Sequence, residues 1–226
     1  IIKKIMNIVK FQEQLKLLVP NFKVKFKDES LFMKILGILL FFNPKFMDSY
    51  ITTIGKTIYF PNRNNFLDKN NYSKNIMHLT HEFIHIKDYN SYNILFYLGY
   101  LFPQILSLIF IGLLPISIWF LVPTILFLLP LPAPFRKYFE LRGYFLSIFA
   151  YNFFLKDLGL DLQQRRVKLT NYVSYYNQQF KSSPYYWMWP WGVEKDLLKF
   201  KEQVLSEDHL EDPIYQKILS ILESSR

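Results

Sequence analysis

A run of 47 residues without Asp, Glu, Lys or Arg, from Tyr89 to Phe135, constrains this chain more than any other feature. Most of the run is Leu, Ile, Phe and other apolar residues. Because water solvates such a stretch poorly, it needs a membrane or a protein surface to cover it. Apolar residues make up 51% of the 226-residue chain, which is ample for a hydrophobic core and excludes global disorder.

Prolines divide this run. They leave one helix of about 94–114, long enough to cross a hydrocarbon core of about 30 Å, and a second of about 116–129 that is too short. We therefore predict a re-entrant or interfacial helical hairpin over 92–134 that turns near Pro115. The alternatives are that these helices fill a soluble core or are buried in a larger protein assembly.

Positive charge lies on both sides of the hairpin. Residues 1–74 carry 13 basic and 5 acidic side chains, net +8, and residues 136–181 carry 8 and 3, net +5. The positive-inside rule then predicts that both flanks are cytoplasmic. Lys10, Glu13 and Lys16 interrupt the apolar residues near the N-terminus, so we expect no secretory signal and a protein that is not secreted.

The rest of the chain has the periodicity of helices and one small sheet. Ser49–Phe60 is rich in β-branched and aromatic residues around Gly55 and predicts a β-hairpin. Helical patterns cover the first 20 residues, an apolar stretch that begins at Leu31, and the segments around 75–89, 136–157, 164–181, 193–205 and 212–224. We predict one mainly helical α+β domain over 1–226, with a small antiparallel sheet, the inserted hairpin at 92–134 and a C-terminal helical tail at 182–226.

One motif carries chemistry. His81-Glu82-Phe83-Ile84-His85 has the form HExxH and lies inside a helical pattern. On a helix, positions i and i+4 share a face, so both imidazoles can bind one tetrahedral Zn²⁺ while Glu82 reaches a water as general base. The chain has no Cys, which excludes thiolate ligands. The alternative is that these histidines are ordinary surface or core residues.

A catalytic zinc needs a third protein ligand. Asp88 and Ser91 stand where HExxHxxGxxH proteins have Gly and the third His, so that subclass is excluded. Glu140 is a lone carboxylate in an apolar helical segment and needs a partner, which a metal would supply. The alternative is an ion pair of Glu140 with Arg136, Lys137 or Arg142, and Asp157 and Asp161 are weaker candidates for the ligand. We predict one zinc per chain on His81, His85 and Glu140.

Two further residues share the motif's face. Asp88 would accept an imidazole N–H and orient a ligand, or it is a solvated helix-end charge beside Lys87. His78 would be an oxyanion donor, a fourth ligand, or simply a polar residue near the start of the helix.

HExxH followed by a glutamate on a second helix resembles the gluzincin group of zinc metallopeptidases. The order of HExxH, hydrophobic hairpin and glutamate is similar to that of the membrane-bound heat-shock and CAAX-prenyl peptidases, whose glutamate motif is E-x-x-A-D. Here Glu140-Leu141-Arg142-Gly143-Tyr144 has Gly for Ala and Tyr for Asp. LPLPAPFRKYFELRGYF also resembles uncharacterised HExxH proteins of tailed phages, a weaker likeness.

The resemblance implies a zincin-like fold in which the hairpin Ser49–Phe60 corresponds to the edge strand that binds an extended peptide by strand addition. Thr53, Ile54 and Tyr144 are the corresponding substrate-binding candidates. An electrophile for the tetrahedral intermediate is also required. The chemically able residues are Arg142, Tyr144, Tyr185, Tyr186 and His209.

Three functions compete. The first is a zinc metallopeptidase that acts on peptides or proteins, membrane-associated through 92–134 with its catalytic face cytoplasmic. The second is a non-catalytic structural protein of a virion or membrane assembly with the same fold. The third, nucleic-acid binding, is disfavoured because the basic residues are dispersed and no nucleic-acid motif appears.

Overall fold

A computed structural model describes residues 6–41, 43–129, 131–181 and 191–226. The fold is mainly helical with a small three-stranded sheet. The helices are α1 (Ile8–Leu18), α2 (Leu31–Leu39), α3 (Arg63–Leu67), α4 (Tyr72–Tyr92), α5 (Ile94–Leu101), α6 (Leu106–Leu113), α7 (Leu121–Leu128), α8 (Pro134–Asp157), α9 (Leu162–Phe180), α10 (Val193–Ser206) and α11 (Pro213–Ser224). The strands are β1 (Lys23–Phe26), β2 (Thr52–Ile54) and β3 (Thr57–Phe60).

The two longest helices, α4 and α8, pack along each other at the centre of the molecule. Pro134 opens α8 at a first-turn position, where its missing N–H has no helical partner to lose. Helices α9 and α10 pack on α8, and α1 packs on α4 and α11. One cluster of buried apolar side chains runs from Met6 to Leu222 through these helices. The described part of the predicted C-terminal tail therefore contributes to the main core.

The sheet is mixed, so the prediction of a purely antiparallel sheet is wrong. Strands β2 and β3 form the predicted antiparallel hairpin around Gly55, but β1 pairs with β3 in parallel. The chain between β1 and the hairpin includes α2, which supplies the crossover that a parallel pair requires. The order β1-β3-β2 leaves β2 at one edge of the sheet.

The predicted single helix over 94–114 is also wrong. The structure has α5 and α6 instead, bent by 88° at a break that contains Pro103, whose missing N–H and fixed φ interrupt the helix. No single helix of the described residues has the length and apolar composition to cross a membrane, whereas α5 and α6 together pass that test as a bent pair. Helix α5 packs on α4 and α8.

Helices α6 and α7 form an antiparallel hairpin whose main contacts are with each other. Near its base, Gln104 Nε2 donates to the backbone oxygen of Leu131 over 3.0 Å. Further along, the rings of Phe110 and Phe127 stack with centroids 5.6 Å apart. A short 3₁₀ helix, Ile118–Phe120, follows the turn at the tip. This pair is called the α6–α7 hairpin below.

Candidate metal centre

The side chains of His81, His85 and Glu140 meet between α4 and α8. All three are buried, with 8%, 5% and 4% of their surface exposed. His81 Nε2 lies 3.2 Å from Glu140 Oε2 and 3.3 Å from His85 Nε2, and His85 Nε2 lies 3.6 Å from Glu140 Oε1. This group can hold a metal ion.

The spacing of these atoms suits a small tetrahedral ion. Ligand atoms about 2.0–2.1 Å from a tetrahedral centre are separated from one another by about 3.3 Å. The distances from His81 Nε2 to Glu140 Oε2, 3.2 Å, and to His85 Nε2, 3.3 Å, agree with that value. Two imidazole nitrogens that face each other at 3.3 Å need a shared proton or cation between them, and a divalent ion satisfies both nitrogens and the carboxylate together. The residues present therefore fit a bound metal.

Gly143 explains how α8 approaches the first histidine so closely. A Cβ atom at Gly143 would lie 2.6 Å from His81 Cε1 and 2.8 Å from both ring nitrogens. The imidazole therefore rests directly on the backbone of α8, one turn after Glu140. Residues i and i+3 lie on one helix face. The spacing Glu140-x-x-Gly143 therefore places one member of the group that can hold a metal beside the space for another member, His81.

Tyr144, a substrate-binding candidate from the sequence, is placed in the interior. It is 3% exposed, and its ring packs edge-on against His81 with centroids 4.6 Å apart. Its other side lies against Tyr176 and Phe180. In this position Tyr144 fixes the orientation of the His81 ring.

Tyr100 belongs to the centre, although no sequence pattern pointed to it. Its hydroxyl donates a hydrogen bond to Glu140 Oε1, and its ring centroid lies 6.0 Å from that of His85. The Arg136 guanidinium lies over the Tyr100 ring, and Arg136 Nε donates to the Tyr100 backbone oxygen over 2.8 Å. Because Tyr100 bonds to Oε1, Glu140 Oε2 is the carboxylate oxygen better placed to bind a metal.

Glu82, the predicted general base, lies on the side of α4 that faces the sheet. Thr53 Oγ1 donates to Glu82 Oε2 over 2.6 Å, so the edge strand β2 holds this carboxylate. Glu82 is half-buried and follows His81 directly in the sequence. Ile54, the other strand candidate, packs against an apolar cluster under α2. In the part of the chain that the structure describes, the centre, Glu82 and the outer edge of β2 are therefore adjacent.

Asp88 is buried, and so it is not a solvated helix-end charge. Its Oδ1 accepts a hydrogen bond from Arg142 Nη1 at 2.5 Å, an ion pair that ties α4 to α8. Burial raises the pKa of Asp88 to about 6, opposed by the charges of Arg142 and Lys87. Asp88 Oδ2 and His85 Nδ1 are both buried without a hydrogen-bond partner among the described residues. The expected bond from an imidazole to Asp88 is therefore not made by His85.

The other candidates occupy separate positions. Lys137 pairs with Asp196 at 3.3 Å, Asp161 caps α9, and Asp157 pairs with Arg226 at 3.2 Å. His78 lies outside the group of close ligand atoms. Burial, helped by the charges of His81 and Lys74, lowers the pKa of His78 to about 4. Tyr185 and Tyr186 lie outside the described residues, and His209 lies in the 3₁₀ helix Asp208–Glu211.

The electrostatics of the centre favour a cation. Burial opposes ionisation of Glu140, but hydrogen bonds from His81 and Tyr100 and the nearby imidazoles outweigh it and lower the pKa to about 2. Burial disfavours the charged form of His81, yet the hydrogen bond to Glu140 and the charges of Glu140 and Glu82 raise its pKa. Burial lowers the pKa of His85 despite Glu140. An ionised carboxylate thus faces the His85 imidazole, whose lowered pKa favours the neutral form that binds metals, and the His81 imidazole, whose raised pKa favours a proton that a bound metal would replace.

Comparison with known proteins adds no assignment: no family model matches the chain, and the searches of curated proteins and of solved structures give no match. The geometry of the centre is therefore the basis for assigning a function.

Proposed function

We propose that this protein is a zinc-dependent metallopeptidase with a zincin-like fold. The observation that carries the proposal is the convergence of His81, His85 and Glu140, with Glu82 beside them and bonded to an edge strand. Two imidazoles and one carboxylate are a typical ligand set of catalytic zinc, which keeps its fourth position for water or substrate. Sequence pattern and geometry agree on the same residues.

Each residue then has a defined task. His81, His85 and Glu140 would hold the zinc, which would supply a Lewis acid for the scissile carbonyl and a lowered pKa for a water. Glu82 accepts the proton of the attacking water, and Thr53 holds the Glu82 carboxylate in place for that transfer. The free edge of β2 offers its backbone N–H and C=O groups to an extended peptide, which would place a peptide bond beside Glu82. Tyr100 holds Glu140, and Tyr144 holds the ring of His81.

A Glu82→Gln variant tests the proposal. We expect zinc content and thermal stability like those of the native protein and a loss of peptide hydrolysis of about 10²–10⁴-fold, because the general base alone is removed. Hydrolysis is measured by mass spectrometry on a library of unstructured peptides, with zinc-loaded protein and lipid vesicles present. Glu194→Gln on α10, outside the metal-ligand group, is the matched control and retains full hydrolysis. Zinc-loaded native protein without Glu82-dependent cleavage would contradict the proposal.

The second candidate is a structural component of a membrane or particle that retains the metal centre without turnover. It is favoured by the large exposed apolar surface of the α6–α7 hairpin, which an assembly would cover. In that case the Glu82→Gln variant would match the native protein in every property.

A further inference from the structure

The α6–α7 hairpin buries two polar side chains and exposes many of its apolar side chains. The buried residue of α6 is Ser107, and that of α7 is Thr124. The outward side chains include Leu108, Ile109, Val122, Ile125 and Leu126, each at least half exposed. A helix pair that folds in water has the opposite arrangement. The outer surface is therefore built to contact an apolar environment.

The inward polar groups bond to the backbone of the hairpin itself. Ser107 Oγ donates to the backbone oxygen of Gln104 over 2.7 Å, and Thr124 Oγ1 donates to that of Phe120 over 2.8 Å. Side chains satisfied in this way need neither water nor a partner protein. This is the condition that a hydrocarbon environment imposes on a helix.

The extent of the apolar surface favours lipid over a protein partner. Exposure continues across the tip, where Ile116, Ile118 and Trp119 are 76%, 69% and 78% exposed. A protein partner would have to enclose a projecting hairpin on several sides, whereas a bilayer leaflet surrounds it at once. The eight residues of α6 rise by about 12 Å, close to half of a hydrocarbon core of about 30 Å. The hairpin therefore matches the depth of one leaflet.

Helix α2 presents a second apolar surface, outside the run that the sequence singled out. Its exposed side chains are Leu31 (73%), Phe32 (53%), Ile35 (51%), Ile38 (73%) and Leu39 (66%). Met33 is its only fully buried residue, and the helix has one charge, the exposed Lys34. A basic residue at the border of an apolar helical surface suits the headgroups of anionic lipid.

Three consecutive residues of the β2–β3 hairpin connect both surfaces to the metal centre. Thr53 contacts Glu82, and Ile54 packs in the cluster beneath α2. The backbone N–H of Gly55 donates to Tyr97 Oη of α5 over 2.6 Å, and α5 leads directly into the α6–α7 hairpin. The edge strand thus lies between the two apolar surfaces.

We propose that α2 and the α6–α7 hairpin insert together into one leaflet of an anionic bilayer and hold the edge strand β2 at the lipid surface. The insertion identifies the substrates of the peptidase proposed above as polypeptide segments that lie at the membrane surface, and this assignment rests on that proposed activity. The net charge of +8 over residues 1–74, which include α2, adds attraction to anionic headgroups.

Vesicle flotation with the full-length protein tests the insertion. The vesicles are phosphatidylcholine alone or phosphatidylcholine with phosphatidylglycerol at about 3:1, and the protein is freed of metal and detergent. We expect stronger binding to the anionic vesicles, and at least a tenfold lower partition coefficient for Trp119→Glu and for Phe32→Glu. The matched control, Val167→Glu on α9, replaces an apolar residue that is 50% exposed and binds like the native protein.

Native protein that stays unbound with both vesicle types, or Trp119→Glu that floats like the native protein, would overturn the insertion. A Phe32→Glu variant that binds vesicles like the native protein would overturn the proposed insertion of α2. A native protein that fails to bind vesicles and instead forms oligomers that Trp119→Glu dissociates would also overturn the insertion. That result would show that a second copy of the chain covers the hairpin.

The substrate class is tested by comparing one peptide free in solution with the same peptide tethered to the vesicles. We expect the tethered peptide to be cleaved at least tenfold faster, and equal rates would overturn the substrate class. Flotation requires neither metal nor turnover, and Glu82→Gln retains it. A failure of the peptidase proposal is therefore distinguishable from a failure of insertion.

Discussion

The metal centre and the α6–α7 hairpin both have polar side chains in their interior, but they use them in opposite ways. In the centre, groups from two helices meet, as Glu140 of α8 does with His81 of α4, and a separate ion pair joins Asp88 to Arg142 between the same helices. In the hairpin, the inward Ser107 and Thr124 are neutral and bond to backbone of their own hairpin. The centre is therefore stabilised by contacts between residues distant in sequence, whereas the stability of the hairpin depends on what covers its apolar outer surface.

The largest effect is expected from Asp88→Ala, which removes one partner of the buried ion pair between α4 and α8. We expect the free energy of unfolding to fall by about 3 kcal/mol, because Arg142 is left without its carboxylate in a partly buried position. Chemical denaturation measures the change. The matched control is Asp157→Ala, which breaks the more exposed pair with Arg226 and should cost about 0–1 kcal/mol. If both variants lose the same free energy of unfolding, the buried pair stabilises the fold no more than the exposed pair does.

Glycine substitutions compare the two regions directly. Gly143→Ala places a methyl group where the His81 ring lies, at 2.6 Å from Cε1, and should lower stability by roughly 1–3 kcal/mol and weaken metal binding. Gly112→Ala, in α6, meets no atom within 4 Å and should be neutral or stabilising by up to about 1 kcal/mol. Both variants are measured by thermal unfolding in detergent and by zinc titration. A Gly143→Ala protein with native zinc affinity would contradict the close approach of α8 to His81.

Tyr100→Phe removes the hydroxyl that α5 contributes to the centre. We expect the zinc dissociation constant to rise about 10–100-fold, because a carboxylate ligand that loses its hydrogen bond is less well oriented. Competition with a chromophoric chelator measures it. Tyr97→Phe, which removes the neighbouring hydroxyl that contacts Gly55, should leave the constant unchanged. If both variants bind zinc equally, Tyr100 does not position Glu140.

The smallest effect concerns Lys27, a fully buried lysine that donates to the backbone oxygen of Phe46 at 2.6 Å and lies over the Phe46 ring. Burial, opposed by the charge of Glu82, lowers the pKa of Lys27 from 10.5 to about 8. Between those values the unfolded chain binds more protons, so stability rises with pH. Relative to Lys27→Met, the native protein should gain roughly 1–2 kcal/mol from about pH 8 to about pH 10. A difference in the free energy of unfolding between the native protein and Lys27→Met that does not change with pH would contradict this prediction.

The sequence predicted the helical class of the fold, because apolar periodicity reports which face of each helix is buried. It also predicted the residues that the structure brings together, since HExxH fixes two histidines on one face and Glu140 is the only carboxylate within its apolar segment. Tyr100 was missed because a tyrosine in an apolar run carries no signal that separates it from packing. The parallel pairing of β1 was missed because four residues of strand pattern do not specify a partner.

The break at Pro103 was underestimated for a related reason. Composition reports how apolar a segment is but not where its backbone bends. Residues 94–114 are apolar and numerous enough for a helix that crosses a membrane. The 88° bend between α5 and α6 falls at the break that contains Pro103, and α5 stays on the body while the α6–α7 hairpin projects. A local backbone property therefore decided the architecture of the whole insertion.

Metal stoichiometry is the decisive test of a zinc ion held by His81, His85 and Glu140. Plasma mass spectrometry is applied to protein purified with zinc present, beside His85→Ala, Glu140→Ala and the control His78→Ala, which lies outside the ligand group. We predict about one zinc per chain in the native protein and in His78→Ala, and none in the two ligand variants. Native protein without zinc, or ligand variants that retain it, would contradict a zinc site at these residues.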